Sequence, residues 1–506
     1  MPTNQTGRVY LVGAGPGDPG LITVRGAELL RCADVVVYDY LANPLMLLYA
    51  RPAVEAICLG RHGHGRIMPQ EQVNQLLVEK AKQGQAVVRL KCGDPAVFGR
   101  LAEELEALAA ENINYEIVPG ITAAHAAPSL AGVTVTHRDS TSSVALVTGR
   151  EQQETECSKL DYEALARFPG TLVFYMGVTT APVWSAALIE AGRSGDTPAV
   201  LVHRCGWTDQ QVVSCTLGTV ADEIERRKMR PPVVVMIGDA CREEALFQWY
   251  RQRPLAGQTV LVTRPLHQAS ELCQRLVQQG AGCMVQPVIA IEPPSNWALV
   301  DDAIDRLSTY DWVVFSSANG VRSMLDRIWQ QHGDLRQLGG VRLAVIGPRT
   351  AQELTRYFLK PDVAPSIYRA EELAAALAPV AADRRFLLCR ASRGRDTLAT
   401  ELAAAGGLVD QVVVYESIDV TDPSSDVIQA LDSGQIDWIT VTSSAIAHSL
   451  VNMFADRLRH CRLVSISPLT SATLTELGYP PATEARDYTT DGVIEAIIGA
   501  VRDNRA

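Results

Sequence analysis

Short apolar, β-branched runs recur along this chain and alternate with stretches of amphipathic, helix-like periodicity. "VVVY" (35–38), "AVVRL" (86–90), "SVALVTG" (143–149) and "TLVFYMG" (171–177) are the clearest. Such runs fit buried strands, and strands alternating with helices predict an α/β architecture with mainly parallel sheets. "PPVVVMIGDA" (231–240) reads as the last strand of this series. A charged stretch containing Trp249, Pro254 and Gly257 follows, and a new strand, "TVLVTRP", begins at Thr259. The pattern predicts two domains, 8–245 and 257–506. The linker between them is short and not Gly/Ser-rich, so it should restrict their relative orientation. The 506 residues are more than one ordinary core holds.

The second half repeats itself. "VLVTRP" (260–265) matches "FLLCRA" (386–391), "YDWVVFSSANGVRSML" matches "IDWITVTSSAIAHSLV", and "VRLAVIGPRTAQEL" matches "CRLVSISPLTSATL". The spacing from Arg264 to Asp311 equals that from Arg390 to Asp437. Residues 257–506 are therefore expected to form two similar α/β units, with a cleft between them as a natural ligand site.

Composition removes several function classes. The formal net charge of −11 argues against nonspecific nucleic-acid binding, which needs a basic face. No apolar run is long enough to span a bilayer and no secretory signal is visible, so a cytoplasmic location is expected. The 11 cysteines are scattered without any CxxC, which points to reduced thiols rather than structural zinc or disulfides. His62 and His64 have no partner at ligand spacing, and no metal is expected.

The candidate chemistry starts at "VYLVGAGPGDPG" (9–20). A dinucleotide fingerprint would need a third glycine where Asp18 stands, and Pro16 and Pro19 would interrupt its helix; no Gly-Lys-Ser/Thr follows for a phosphate loop. The loop is followed by "VVVYDYLANPLML", "MPQEQVNQLL", "VVRLKCGDPAVFGR", "VPGITAAHAAPSLAGVTVTHRD" and "TLVFYMGV". Together, over about residues 8–242, these resemble the uroporphyrinogen-III C-methyltransferases of the tetrapyrrole methylase superfamily. The resemblance implies a two-lobed domain binding S-adenosyl-L-methionine, with S-adenosyl-L-homocysteine as product. It implies cofactor contacts at Pro16, Cys92, Gly93, Asp94, Val97, Thr122, Ala123, Met176 and Cys205, and Asp39 as proton acceptor. Taken alone, Met176 equally fits a core methionine and Asp39 a turn cap. The sequence departs from the family in three places. Arg61 stands where the family usually has lysine; it suits substrate carboxylates better than proton donation, because a guanidinium does not deprotonate. Cys92 replaces a glycine, and the register of Cys205 against Gly206 is uncertain by one. Arg66, Arg89, Lys91, Arg100 and Arg138 are further candidates for substrate carboxylates. A homodimer through this half is the family expectation.

Residues 257–506 resemble uroporphyrinogen-III synthase, through "VLVTRP", "DWVVFSSANGVR", "GPRTAQEL", "GRDTLATEL" with "VVVYES", and "TVTSSAIAHSL". The resemblance implies closure of hydroxymethylbilane, with Tyr415 as acid for the departing hydroxyl. Its repeat counterpart is Ile289, so the position does not need a phenol structurally, although a buried aromatic is the competing reading. Arg264, Ser317, Arg390, Ser443 and Thr470 are candidate substrate contacts, with Arg393 and Arg395 beside them; Ser467, in place of a family glycine, puts the geometry of its loop in question. The whole chain then reads as a bifunctional enzyme making precorrin-2, methylated at C2 and C7, for sirohaem or cobalamin synthesis. The alternative is a methylase for another precorrin carbon with a degenerate synthase half.

Overall fold

The computed structural model describes residues 7–60, 67–150, 160–242, 249–394 and 396–504. It contains four five-stranded sheets with helices packed against them, an α/β architecture throughout. No helix among the described residues is long and apolar enough to cross a membrane.

The first sheet runs Glu55–Cys58, Val35–Tyr38, Ala86–Lys91, Arg8–Gly13, Asn114–Val118, all parallel. Its strands bury alternate residues on opposite faces, which is why they are apolar without interruption. Val9, Leu11, Val35 and Val37 pack one way, with Val73, Leu77 and Leu108. Val12, Val36, Val88 and Leu90 pack the other, with Leu29, Leu30 and Met46. The neighbouring strands Arg8–Gly13 and Ala86–Lys91 send their chains onward to opposite sides of the sheet. That reversal opens a crevice at their carboxyl ends, the usual ligand position in an open α/β sheet.

The second sheet runs Val144–Thr148, Thr171–Tyr175, Val233–Ile237, Pro198–His203, Gln211–Thr216 and is mixed. Its core centres on Phe174, stacked on Trp184 at 4.4 Å between ring centroids. The Trp184 indole donates to the Gly177 carbonyl at 2.8 Å, so the ring is buried without an orphaned N–H.

The chain divides into two compact units, residues 1–286 with 423–506, and residues 287–422. The repeats of the second half therefore do not fold in succession; they exchange their opening segments. The third sheet, Gly282–Val285, Thr259–Val262, Trp438–Val441, Arg462–Ser465, Thr483–Glu484, joins the first strand of one repeat to later strands of the other. The fourth, Ile289–Glu292, Leu408–Asp419, Arg385–Ala391, Trp312–Phe315, Arg342–Val345, does the converse. The repeated aspartates latch these exchanges. Asp437 Oδ2 accepts from the Thr259 amide at 2.8 Å, and Asp311 Oδ2 from the Arg385 amide at 2.9 Å. Asp34 holds the Ala86 amide in the same way at 2.8 Å in the first sheet.

The Arg385 amide, with the Arg384 guanidinium, holds the Asp311 carboxyl below its ordinary value of 3.8. A depressed carboxylate stabilises the fold above the ordinary value, and that contribution disappears as the pH falls through the folded-state value. Asp311→Ala is expected to destabilise its unit by about 1 kcal/mol at neutral pH, read as faster hydrogen exchange at the Arg385 amide. The difference from wild type should vanish in strong acid.

Candidate cofactor and substrate sites

Three backbone turns meet at the crevice of the first sheet. Gly15 and Gly93 form an isolated bridge, Gly93 N–H to Gly15 O at 2.8 Å and Gly15 N–H to Gly93 O at 3.2 Å. A Cβ on Gly13 would lie 2.5 Å from the Gly120 Cα, and one on Gly120 would lie 2.2 Å from the Gly93 carbonyl oxygen. No side chain fits there. Gly93, at φ +70°, differs: a Cβ would meet only the Thr122 Cα, at 3.8 Å. That open side is a backbone cradle between the Gly13–Asp18, Cys92–Asp94 and Gly120–Thr122 turns. Asp94 holds it together, its two oxygens accepting from Ala96 N–H at 2.8 Å and Gly120 N–H at 2.9 Å. Val97 closes the same turn through its N–H to the Asp94 carbonyl at 3.2 Å.

Asp39 follows the strand Val35–Tyr38 at this edge. Its Oδ1 accepts from Arg89 Nη2 at 2.6 Å and its Oδ2 from the Cys92 amide at 3.3 Å, so the side chain is not a turn cap. Arg89 continues to Glu104 at 3.0 Å, and Glu104 to Lys91 at 2.7 Å. Arg89, Glu104 and Lys91 are at most 4% exposed at their side chains, whereas Asp39 is 31% exposed. Burial, then the neighbouring Arg89, lowers the Lys91 amine's pKa. Two acids and two bases cancel, which is how four ionised groups stay in a core.

Thr122 and Ala123 open the helix Ala123–Ala131, and Tyr175 reaches them from the second sheet. Its hydroxyl lies 2.6 Å from Thr122 Oγ1 and accepts from the Ala124 amide at 2.7 Å. Met176, the next residue, has a left-handed backbone and a 46% exposed side chain, so it is not a core methionine. Phe98, also left-handed, stands with its ring 5.1 Å from that of Tyr175. Strained backbone of this kind persists where surrounding structure enforces it, often at ligand sites. On the turn after the strand Pro198–His203, Gly206 (φ +77°) would place a Cβ 2.9 Å from both the Asp18 amide nitrogen and the Pro16 carbonyl oxygen. Gly206 is thus the position that requires glycine, and Cys205 lies buried beside it, its thiol pushed up to about 12 by burial. Cys92 keeps its thiol 3.8 Å from the Gly15 carbonyl oxygen and does not disturb the bridge.

In the second half, Tyr415 and Ser317 come together, with the phenol oxygen 3.0 Å from Ser317 Oγ. Ser317 also caps the helix Ala318–His332, accepting from Gly320 N–H at 3.0 Å. Tyr415 is 7% exposed, and burial raises its pKa above the ordinary phenol value. In the other unit, Ser443 caps the helix Ser444–Phe454 and Ser467 caps Pro468–Glu476. Ser467 has φ −162°, extended backbone open to any residue, so serine replaces glycine without distorting this turn. Thr470 is buried, its hydroxyl 3.2 Å from Ser467 Oγ. Arg264 is buried on Thr442 and Thr490 at 3.0 and 3.4 Å.

Several expected carboxylate-binding cations are engaged elsewhere. Arg89 and Lys91 face Glu104 in the core, and Arg100 pairs with Glu103 at 2.6 Å. Charged residues two apart on a buried strand need a buried partner, and Glu104 supplies it from the helix Leu101–Ala110. Arg390 folds into its own loop, donating to Asp396, Gly394 and Gln411. Arg393 pairs with Asp419 at 2.7 Å. Arg61, His62, His64, Arg66 and Arg395 lie outside the described residues. The sequence reading missed Glu104 and Tyr175; the phenol at 175 ends a buried strand, beside Met176, and that position was its only signal. Among the described residues, no group of three or more His, Cys, Asp or Glu side chains could hold a metal ion.

Two family models match this chain. The family model "Tetrapyrrole (Corrin/Porphyrin) Methylases" matches residues 8–221, and "Uroporphyrinogen-III synthase HemD" matches 270–495. The "S-adenosyl-L-methionine-dependent uroporphyrinogen III methyltransferase" of Methanosarcina barkeri is 46% identical over 46% of this chain and 91% of its own. "Uroporphyrinogen-III C-methyltransferase" of Bacillus subtilis is 37% identical over 71% of this chain and 74% of its own. "Porphyrin biosynthesis protein HemD" of Ruminiclostridium josui is 34% identical over 95% of this chain and 94% of its own. With both family models matched and one relative similar along nearly its whole length, the chain belongs to the porphyrin-biosynthesis enzymes that join a tetrapyrrole methylase to a uroporphyrinogen-III synthase.

Proposed function

We propose that the second half converts hydroxymethylbilane to uroporphyrinogen III, and that the first half methylates this product at C2 and C7 to give precorrin-2, feeding sirohaem or cobalamin synthesis. The observation that carries the methylase reading is the glycine-walled cradle beside the exposed edge of Asp39. Backbone that approaches this closely suits a ligand bound through its carboxylate and ribose.

S-adenosyl-L-methionine fits that cradle, and when bound it would supply an already electrophilic methyl group. Pro16, Cys92, Gly93, Asp94, Val97, Thr122 and Ala123 would hold it from the first lobe, and Met176 and Cys205 from the second. Met176 offers a soft apolar cover for an adenine ring. Once a pyrrole carbon is methylated, a proton must leave, and Asp39 is the member of the charge network with an exposed face to receive it. Arg89 and the Cys92 amide fix its orientation. Arg61 and the exposed Arg138 are proposed for substrate carboxylates. A homodimer is supported by apolar side chains left uncovered on two edge strands, Tyr115 and Ile117 on one and Val144 and Leu146 on the other, each 37–41% exposed.

In the synthase half, the Tyr415 phenol would protonate the departing hydroxyl. Like any phenol it is protonated at neutral pH, and Ser317 orients it. Ser317, Ser443 and Thr470 stand at helix N-termini, where amide groups favour carboxylates, and Arg264 is proposed as a further substrate contact.

Incubating the full chain with hydroxymethylbilane and S-adenosylmethionine should yield dimethylated uroporphyrinogen III by mass spectrometry. Uroporphyrinogen I alone would sink the synthase assignment, and a methyl group on another carbon would favour a different precorrin substrate. Asp39→Asn is expected to lower methylation by about 100-fold or more while ring closure and S-adenosylhomocysteine binding persist. Tyr415→Phe should slow ring closure roughly tenfold and leave methylation of supplied uroporphyrinogen III intact. Wild-type rates in either variant would remove that residue's assigned role.

A further inference from the structure

The residues after the methylase half are built into its cofactor cleft. Tyr250 is 4% exposed, and its hydroxyl donates to the Gly206 carbonyl at 2.9 Å and lies 3.5 Å from Asp18 Oδ2. Those two groups belong to opposite walls of the cleft. Asp18 ends the glycine loop of the first lobe, and Gly206 sits on the turn after the strand Pro198–His203 of the second. The walls touch closely, with the Gly17 main chain against the Trp207 ring: a Cβ on Gly17 would lie 2.5 Å from the Trp207 indole nitrogen and 2.8 Å from the Cys205 carbonyl oxygen.

The same tyrosine is tied in the other direction. The Arg253 guanidinium lies over the Tyr250 ring, 3.6 Å from its centroid. Arg253 donates to the Val277 carbonyl at 3.0 Å, at the end of the helix Leu266–Gln278 that opens the C-terminal half. Thr208, two residues beyond Gly206, donates to the Gly280 carbonyl at 2.6 Å. Elsewhere this seam is not packed solid. A cavity of about 420 Å³ lies between the back of Asp18–Leu21 and that helix, lined also by Leu48, Tyr49, Trp249 and Gln274. Tyr250, Arg253 and Thr208 thus make polar ties between the cofactor loops and the start of the C-terminal half, beside the apolar packing of Leu45 and Leu48 against that helix.

We infer that Tyr250 is a positioning residue for the methyl donor, acting through Gly206 and Asp18, and that Arg253 and Thr208 make cofactor affinity depend on the first helix of the synthase half. This rests on the reading of the cleft as the S-adenosylmethionine site. The phenylalanine variant keeps the ring under Arg253 and removes only the hydroxyl, leaving the Gly206 carbonyl without its donor.

The test is titration calorimetry of S-adenosylhomocysteine on the full chain, with steady-state rates for both reactions. Tyr250→Phe is expected to weaken binding about tenfold and to raise KM for S-adenosylmethionine in parallel. The methylation kcat at saturating donor should stay within about twofold, and ring closure should be unchanged. Thr208→Val, which removes the tie to Gly280 without touching the cleft, should weaken binding about threefold. Wild-type affinity in both variants overturns the inference while leaving the cofactor reading standing. A parallel loss of donor binding, ring closure and thermal stability in Tyr250→Phe overturns it also, because the residue would then serve the fold alone. Failure of the wild-type chain itself to bind S-adenosylhomocysteine removes the cofactor reading, and this inference with it.

Discussion

Backbone touching backbone at Gly13, Gly93 and Gly120 is the constraint on which the methylase half is arranged. A single methyl group at Gly13 or Gly120 would overlap main-chain atoms at 2.2–2.8 Å, and main chain has no rotamer with which to yield. The three strands that end there must therefore stop in register. The parallel order of the first sheet provides this, with Gly13 paired to Lys91 and Val12 to Val118. Aligned strand ends make aligned turns, and aligned turns leave the one open side at Gly93. The position of the ligand cradle thus follows from packing that involves no side chain.

Below those turns sits the second constraint, the chain of charges from Asp39 to Lys91. Glu104 is fully buried, and removing any one partner would leave an uncompensated charge in the core, which costs several kcal/mol. Asp39 owes its orientation to this network and its reach to its place at the sheet edge. The sequence made the edge legible: "YD" after a strand and "KCGDP" after another fix where both turns fall. It did not make the network legible. "RLK" presents two cations on one face of a strand, and only the packing of a helix thirteen residues further on shows that they point inward. A reading from residue types alone takes them for substrate contacts.

The second half shows the same division between pattern and placement. Its repeat was plain from "DWVVFSSANGVR" against "DWITVTSSAIAHSL", and two similar α/β units follow from it. Which strand pairs with which does not. Asp311 and Asp437 each bind the amide of a strand from the opposite repeat, so identical local sequence serves an exchanged topology as readily as a sequential one. Periodicity specifies the element and its buried face; the partner strand is chosen by tertiary contacts absent from any short window. Tyr415 illustrates the consequence, because its meeting with Ser317 depends on this pairing.

Charge bears on how an acidic chain can bind a substrate rich in carboxylates. Arg89, Lys91, Arg100, Arg390 and Arg393 all carry internal carboxylate or carbonyl partners, so little of the described cationic charge near the candidate sites is uncommitted. Beside the arginines proposed for the substrate, the donors are main-chain amides: those at the glycine turns of the methylase, and those at the N-termini of helices capped by Ser317, Ser443 and Ser467. Amide donors hold an anion without adding net charge, and their geometry is set by the fold before the ligand arrives. Recognition by preset amides depends on where the turns stand, so anything that moves a turn moves the site. In the methylase half Gly206 is tied through Tyr250 to the linker, so a chain segment outside both matched regions contacts these turns.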